Sequence, residues 1–190
     1  MDFNEVFLFG EAFKLPAIRV TFESHPALAD WISVLHAEYD PNPQLKAHET
    51  TGSRAYDVLG STILLYLVSQ RFRTALRAAG VTGWDSLPVD PGPFEAITGY
   101  EVLRVLGRCG PVDHSKSERV ILPSPVPKGA AMPGWRGLYF DPSSWDGSDI
   151  FGPRATGQIF VTKRAAGVIR RMKPSNVRLE PLASVERLVP

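Results

Sequence analysis

The stretch YLVSQRF, residues 66–72, has an echo 93 positions later in IFVTKRA, residues 159–165. Each begins with a short apolar run, continues with a hydroxyl residue, and places an arginine two residues after that hydroxyl. The match continues without a gap as far as Pro88, which corresponds to Pro181. Self-similarity at a fixed spacing is typical of a duplicated supersecondary unit, although a catalytic signature or chance are the alternatives.

The residue types in the echo favour architecture over catalysis. Ser69 and Thr162 are preferred N-cap residues, whose hydroxyl accepts from a free N–H of the first helical turn. Gly83 and Asn176 are the residue types that best tolerate a positive φ, as a tight turn requires. Each copy therefore predicts a strand, a cap, a helix, a tight turn and a second strand.

We expect a single α+β domain over residues 1–190, with two similar strand–helix–strand units at about residues 61–89 and 154–182. These units are predicted to pack on a mixed, mainly antiparallel sheet. Apolar residues at helical spacing predict a third helix over residues 26–39, and residues 44–60 lack periodicity and are predicted to be a loop.

The positions of proline and glycine residues lead to three further predictions. Pro88 suggests that its strand lies at a sheet edge. The Pro- and Gly-rich stretch 123–134 is predicted to be a linker, and GWRG at 134–137 a glycine-flanked turn. Residues 138–140 are predicted to form a short apolar strand.

Composition limits the classes of function. The chain has 190 residues, 44% of them hydrophobic, and a net charge of +1, which argues against a nucleic-acid partner. No apolar run reaches the roughly 20 residues that span a bilayer, and the acidic start lacks the basic region of a secretion signal. The single cysteine, Cys109, excludes an internal disulfide. We therefore expect a cytoplasmic protein with no membrane partner, no metal and no cofactor.

Two arginines of the echo are expected to pair with a negatively charged group. Arg71 and Arg164 fall in the first turn of each predicted helix, where a positive charge gains nothing from the helix dipole. A carboxylate within the fold, one that fixes the two units together, is the favoured partner, and an external acid is the alternative.

The segment RCGPVDHSKSE, residues 108–118, holds the residues closest to a catalytic pattern. Asp113 and His114 could serve a small hydrolase, and Cys109 with His114 could form a nucleophile pair or part of a metal site. The other histidines lack ligand spacing, and Cys and His five residues apart in a turn rarely face each other. A polar surface loop is the favoured interpretation.

Two exposed loops, about 107–118 and 133–150, are the candidate binding surface. Trp and Arg are common interface anchors, and acids beside an exposed Trp suit a protein interface. The candidate interface residues are Arg108, Asp113, His114, Lys116, Trp135, Arg136, Trp145, Asp146 and Asp149.

The pattern IFVTKRAAGVIRRMKPSNVRLEPL, residues 159–182, resembles the end of bacterial immunity proteins from polymorphic toxin systems, particularly the double-CxxCG family and its larger relatives. Residues 63–89 resemble it again, so the likeness covers about a quarter of the chain. The CxxCG motifs themselves are absent, because Cys109 stands alone. The resemblance implies a non-catalytic protein that binds and neutralises a cognate toxin.

Three hypotheses follow. The first is an immunity protein that acts by stoichiometric binding to a cognate protein toxin. The second is a small hydrolase-type enzyme that uses Asp113 and His114. The third is a scaffold or homodimer whose repeat builds a groove.

Overall fold

The structure is a computed structural model that describes residues 1–39, 42–124 and 126–188. Within these residues the strands are β1 (Val6–Glu11), β2 (Arg19–Phe22), β3 (Leu45–Thr51), β4 (Val58–Ser61), β5 (Tyr66–Val68), β6 (Trp84–Asp90), β7 (Glu101–Val105), β8 (Gly107–Cys109), β9 (Glu118–Leu122), β10 (Met132–Arg136), β11 (Ile150–Pro153), β12 (Ile159–Thr162), β13 (Val177–Pro181) and β14 (Glu186–Leu188). The helices are α1 (Trp31–Leu35), α2 (Gln70–Ala78) and α3 (Lys163–Arg171).

The strands form three sheets that are mixed but mainly antiparallel, which confirms the predicted α+β class. Strands β2, β3, β6, β7, β5 and β4 close into a barrel. A five-stranded sheet has the order β13-β1-β12-β11-β8, and a three-stranded sheet has the order β14-β10-β9. In the part of the chain that the structure describes, no helix is long and apolar enough to cross a bilayer.

The two halves of the chain exchange their first strands. Strand β1, from the first half, lies between β12 and β13 of the second half. Strand β7, from the second half, lies in the same way between β5 and β6 of the first half. All four pairings are antiparallel, so the two halves correspond in arrangement and each completes the other's sheet.

The next strand of each half also has an equivalent. Strand β2 pairs in parallel with β4, and Arg19 lies opposite Gly60. Strand β8 pairs in parallel with β11, and Arg108 lies opposite Gly152. The correspondence therefore extends beyond the two predicted units to most of the strands around them.

Asp57 holds the first unit to the second. Its buried carboxylate accepts from the Ser69 hydroxyl at 3.0 Å and from Arg71 Nε at 3.0 Å, both in the first unit. From the second unit it accepts the Ser175 backbone N–H at 2.8 Å and the Ser175 hydroxyl at 2.9 Å. We call this arrangement the first clasp.

Asp149 repeats the arrangement in reverse and forms the second clasp. Its buried carboxylate accepts from the Thr162 hydroxyl at 3.0 Å and from the guanidinium of Arg164, within the second unit. From the first unit it accepts the Thr82 backbone N–H at 3.0 Å and the Thr82 hydroxyl at 3.2 Å. Asp57 and Asp149 lie just before the first and the second unit, respectively, and each bonds the tight turn of the other unit.

The arginines of the clasps bond to the carboxylates of Asp57 and Asp149, which confirms the predicted carboxylate partners. Each arginine also donates to a carbonyl of the other unit. Arg71 donates to the carbonyl of Met172 at 3.0 Å, and Arg164 donates to the carbonyl of Ala79 at 2.7 Å. Both carbonyls lie at the C-terminal end of the other unit's helix, where cations are favourable. The first-turn position of each arginine is thereby explained.

The predicted caps and turns are confirmed. The Ser69 hydroxyl accepts from Phe72 N–H at 3.2 Å, and the Thr162 hydroxyl accepts from Ala165 N–H at 3.3 Å. Gly83 has φ +81° and Asn176 has φ +62°. The Asn176 side chain also donates to Glu11 and to the Val58 carbonyl, so the buried amide is satisfied.

The predicted helix over residues 26–39 is wrong in length. A 3₁₀ turn at Pro26–Asp30 precedes the five-residue α1, because the Asp30 carboxylate accepts from Ser33 N–H and begins a new helix there. The helix ends as Ala37 adopts φ +54°. Propensity and spacing alone could not locate this internal cap.

Most of residues 44–60, predicted to be a loop, lie in strands β3 and β4, and the loop is confined to residues 52–57. Strand β3 alternates buried Leu45 and Ala47 with exposed neighbours, and all four residues of β4 are buried. The predicted edge position of Pro88 is also wrong, because β6 pairs with β7 and with β3 in the closed barrel. Pairing with β3 occurs at Val89 and Asp90, so the proline, which has no N–H, lies outside that ladder.

Three predictions in the turn-rich region also need correction. Residues 132–136 form β10, so Trp135 and Arg136 lie on a strand rather than in a turn, and the predicted linker is shorter. Residues 138–140 are buried but form no strand, since Leu138 N–H donates to the Leu182 carbonyl in an isolated bond. Pro125, within the predicted linker, lies outside the described residues.

Replacing Asp149 with alanine should destabilise the protein by about 2–3 kcal/mol, because the Thr82 N–H and the Thr162 hydroxyl lose their buried acceptor. The measurement is urea unfolding followed by circular dichroism. The control is Asp141→Ala, an exposed residue that bonds only within its own turn, which should cost at most about 1 kcal/mol. Equal losses in the two variants would contradict the clasp.

The first clasp should also make stability depend on pH. Burial alone raises the pKa of Asp57, but hydrogen bonds from Arg71, Ser175 and Ser69 outweigh it, so the pKa lies below its usual value. A lowered native pKa adds stability that is complete above the unfolded value, about 3.9, and is lost as the pH falls below it. We therefore expect the stability gap between the native protein and Asp57→Asn to be wide at pH 6 and to narrow at pH 3. If the difference in the free energy of unfolding between the native protein and Asp57→Asn is the same at pH 6 and pH 3, the lowered pKa of Asp57 does not contribute to stability.

Candidate functional site

The candidate interface residues divide into a structural group and an exposed group. The structural group is Arg108, Trp145, Asp146 and Asp149. The Arg108 guanidinium donates to the carbonyl of His36 at 2.6 Å and to that of Val105 at 2.5 Å. Its backbone N–H donates to Asp146 Oδ2 at 2.7 Å. These bonds join the segment after β7 to the loop before β11.

Trp145 and Asp149 point inward. The Trp145 ring packs 5.5 Å from the Phe151 ring, centroid to centroid, and its Nε1–H donates to the Ser148 carbonyl at 3.0 Å. Asp149 is 7% exposed and belongs to the second clasp, so the expectation that it lies on an exposed binding loop is wrong. Asp146 stays exposed, but its carboxylate accepts from the Ser148 backbone N–H within its own turn and from the Arg108 backbone N–H on β8.

The exposed group consists of the exposed His114, Lys116 and Arg136 and the half-buried Asp113 and Trp135. His114 and Lys116 lie in a 3₁₀ turn whose cap is Asp113, and β10 carries Trp135 and Arg136. The His114 ring lies 6.1 Å from the Trp135 ring, centroid to centroid. The structure thus brings two stretches together that are about 20 residues apart in sequence.

The geometry around His114 gives little support to the hydrolase hypothesis. His114 is exposed, and among the described residues its imidazole has no hydrogen bond to a carboxylate or a nucleophile. The Asp113 carboxylate accepts instead from Ser115, which lowers the pKa of Asp113. Cys109 is buried, and burial raises the pKa of its thiol to about 12, with a further contribution from Asp146.

The described residues likewise contain no cluster of three or more histidine, cysteine or acidic side chains able to hold a metal ion. The acids that look most reactive by burial, Asp57 and Asp149, are engaged in the clasps.

Trp135 and Arg136 lie on the three-stranded sheet of β14, β10 and β9, which we call the outlying sheet. Of the described residues, those in the two buried hydrophobic clusters all come from outside these three strands. Bonds at its base connect the sheet to the body: Gly137 N–H donates to the Val185 carbonyl, and the Ser117 hydroxyl donates to the Gly137 carbonyl. The sheet is thus anchored at one end and open on its faces.

One face of the outlying sheet combines aromatic, aliphatic and basic groups. Residues directly opposite each other in antiparallel strands share a face. Trp135 lies opposite Arg119 on one side and opposite Arg187 on the other, and Pro133 lies opposite Ile121. We call this the basic-aromatic face; it consists of Arg119, Ile121, Pro133, Trp135 and Arg187.

The basic-aromatic face contains a groove. A depression of about 390 Å³ is lined by residues 119–121 and 133–135. Ile121 beside it is 72% exposed, which is unusual for a large apolar side chain on a strand. The Arg119 guanidinium lies 5.1 Å from the centre of the Trp135 ring.

Sequence analysis missed Arg119, Ile121, Pro133 and Arg187. The alternation of Arg119 and Ile121 is a weak signal for a strand with one open face. Arg187 joins the face only because β14 returns to β10 after the last predicted strand. Comparison of the chain with protein-family models and with curated protein sequences found no match.

Cys109 should be unreactive in the native protein. Its thiol is buried and protonated, and the thiolate is the form that reacts with disulfide reagents. We expect labelling by 5,5′-dithiobis(2-nitrobenzoate) at pH 8 to be slow in buffer and complete within seconds to minutes in 6 M guanidinium chloride. Fast labelling of the folded protein would restore Cys109 as a candidate nucleophile.

Proposed function

We propose that this protein is a stoichiometric inhibitor: an immunity protein that binds and neutralises a cognate bacterial toxin through its outlying sheet. The sequence resemblance over residues 159–182 and 63–89 supports the class of protein. The observation that carries the proposal is the basic-aromatic face, which presents Trp135 between two arginines beside an exposed Ile121.

The composition of this face fits a protein interface. Trp and Arg are enriched among the residues that dominate binding energy, and such anchors are surrounded by contacts that exclude water. A monomeric protein rarely leaves large apolar side chains clustered on an open surface without a use for them. The groove beside Trp135 offers a place for one side chain of the partner.

Binding rather than turnover also fits the distribution of acidic groups. The buried carboxylates of Asp57 and Asp149 each accept several hydrogen bonds and serve to join the two units. The exposed residues of the outlying sheet, by contrast, form no base–nucleophile pair with each other among the described contacts. A surface of this kind supports a tight complex with one partner molecule per chain.

The protein encoded next to this chain is the natural candidate for the toxin. We expect the two proteins to co-purify at a 1:1 ratio, and we expect co-expression to restore growth to cells that produce the neighbour. The proposal fails if the neighbour neither binds nor is toxic, or if its toxicity persists when this protein is present.

Replacing Trp135 with alanine should weaken that complex by about 2 kcal/mol or more, or roughly 30-fold, because a buried aromatic anchor is lost. Isothermal titration calorimetry provides the measurement. The matched control is Leu15→Ala, which removes a side chain that is 92% exposed but does not belong to the outlying sheet. If Leu15→Ala weakens binding as much as Trp135→Ala, the assignment of the surface is wrong.

A further inference from the structure

We infer that the partner binds the basic-aromatic face through an acidic segment: its carboxylates pair with Arg119 and Arg187, and an apolar side chain of the same segment enters the groove beside Trp135. This inference rests on the proposed function for the partner's biological role, but it concerns a narrower question, the chemistry of the segment that docks.

Charge is segregated across the outlying sheet. On the opposite face, Arg136 pairs with Glu118 at 2.9 Å and with Glu186 at 2.9 Å, so the two acids of that face share one arginine. On the basic-aromatic face, neither Arg119 nor Arg187 forms an ion pair with any of the described residues. The face therefore carries positive charge with no acid of its own, beside the His114 ring.

The arrangement of the two arginines suits carboxylates at two points. Arg119 and Arg187 lie on the outer strands of the sheet, with Trp135 between them on the central strand. A guanidinium offers a planar set of N–H donors that matches a carboxylate. Arg119 already stacks on Trp135, which orients its guanidinium before a partner arrives.

The groove beside Trp135, which Arg119 lines and Arg187 does not, takes an apolar side chain. It is lined by Ile121 and Pro133 as well as the Trp135 ring, and its volume is about 390 Å³. That volume lies near the low end of the range for ligand pockets, roughly 300–1,000 Å³, so it accommodates one or two side chains rather than a folded element. The occupant is thus an apolar residue of a segment that also carries Asp or Glu.

A peptide library tests this chemistry without the toxin. Random 12-residue peptides displayed on phage are selected against the full chain and depleted against Trp135→Ala. We expect the enriched peptides to carry at least two Asp or Glu residues together with Leu, Ile, Phe or Met. Enrichment of peptides without an acidic bias, or no enrichment at all, overturns the inference.

Charge reversal then tests the arginines directly. The best acidic peptide is synthesised with a fluorophore, and its affinity is measured by fluorescence anisotropy. The double variant Arg119→Glu/Arg187→Glu should weaken binding at least about tenfold, because two attractions become repulsions. The control is Arg154→Glu/Arg171→Glu, which reverses two exposed arginines outside the sheet and should leave affinity unchanged. Equal effects in the two double variants overturn the inference.

The outcomes separate this inference from the proposed function. Selection of acidic–apolar peptides that require Arg119 and Arg187 supports the docking chemistry even if the neighbouring protein proves not to be a toxin. A neighbour that binds and is neutralised equally well by Arg119→Glu/Arg187→Glu leaves the immunity function standing but overturns the docking chemistry. Circular dichroism of each variant verifies that loss of binding does not reflect unfolding.

Discussion

The structure depends on a reciprocal exchange of buried carboxylates. Asp57 and Asp149 each accept hydrogen bonds from their own unit and from the tight turn of the other. A carboxylate removed from water requires such partners, so neither unit can satisfy its own acid without the other in place. The exchange of β1 and β7 also joins the two halves, since each half contributes a strand to the other's sheet. Together these constraints hold the body as one unit.

Sequence reasoning recovered the parts of this design that follow local rules. The caps at Ser69 and Thr162, the turns at Gly83 and Asn176, and the need of Arg71 and Arg164 for carboxylates were all predictable. The carboxylates themselves were missed because they lie 92 positions apart while the echo runs at 93, so an ungapped match passes over DVLG at 57–60 and DIFG at 149–152. Pairings such as β2 with β4 depend on contacts distant in sequence, which no local pattern encodes. The basic-aromatic face was predicted only in part. Trp135 is a candidate interface residue by its residue type alone, whereas Arg119 and Arg187 join the face only through their register with Trp135.

The two halves of the chain have similar elements but differ in one connection each. The two halves correspond in their strands, helices and clasps, and they differ most between β2 and β4 on one side and between β8 and β11 on the other. The first of these connections completes the barrel with β3, whereas the second leaves the body to form β9 and β10. Rigid corresponding elements therefore support a sheet whose faces are free for recognition. Loops and additions on a stable scaffold are where binding residues concentrate.

We propose that the body of the protein is a scaffold and that the outlying sheet is the binding surface. Hydrogen–deuterium exchange by mass spectrometry, comparing the free protein with its complex with the neighbouring gene product, tests this claim most directly. We expect new protection in residues 118–122, 132–136 and 186–188, with exchange in α2, α3 and the two clasps unchanged. Protection centred on α2 and α3, with no change in the three strands of the outlying sheet, would contradict it.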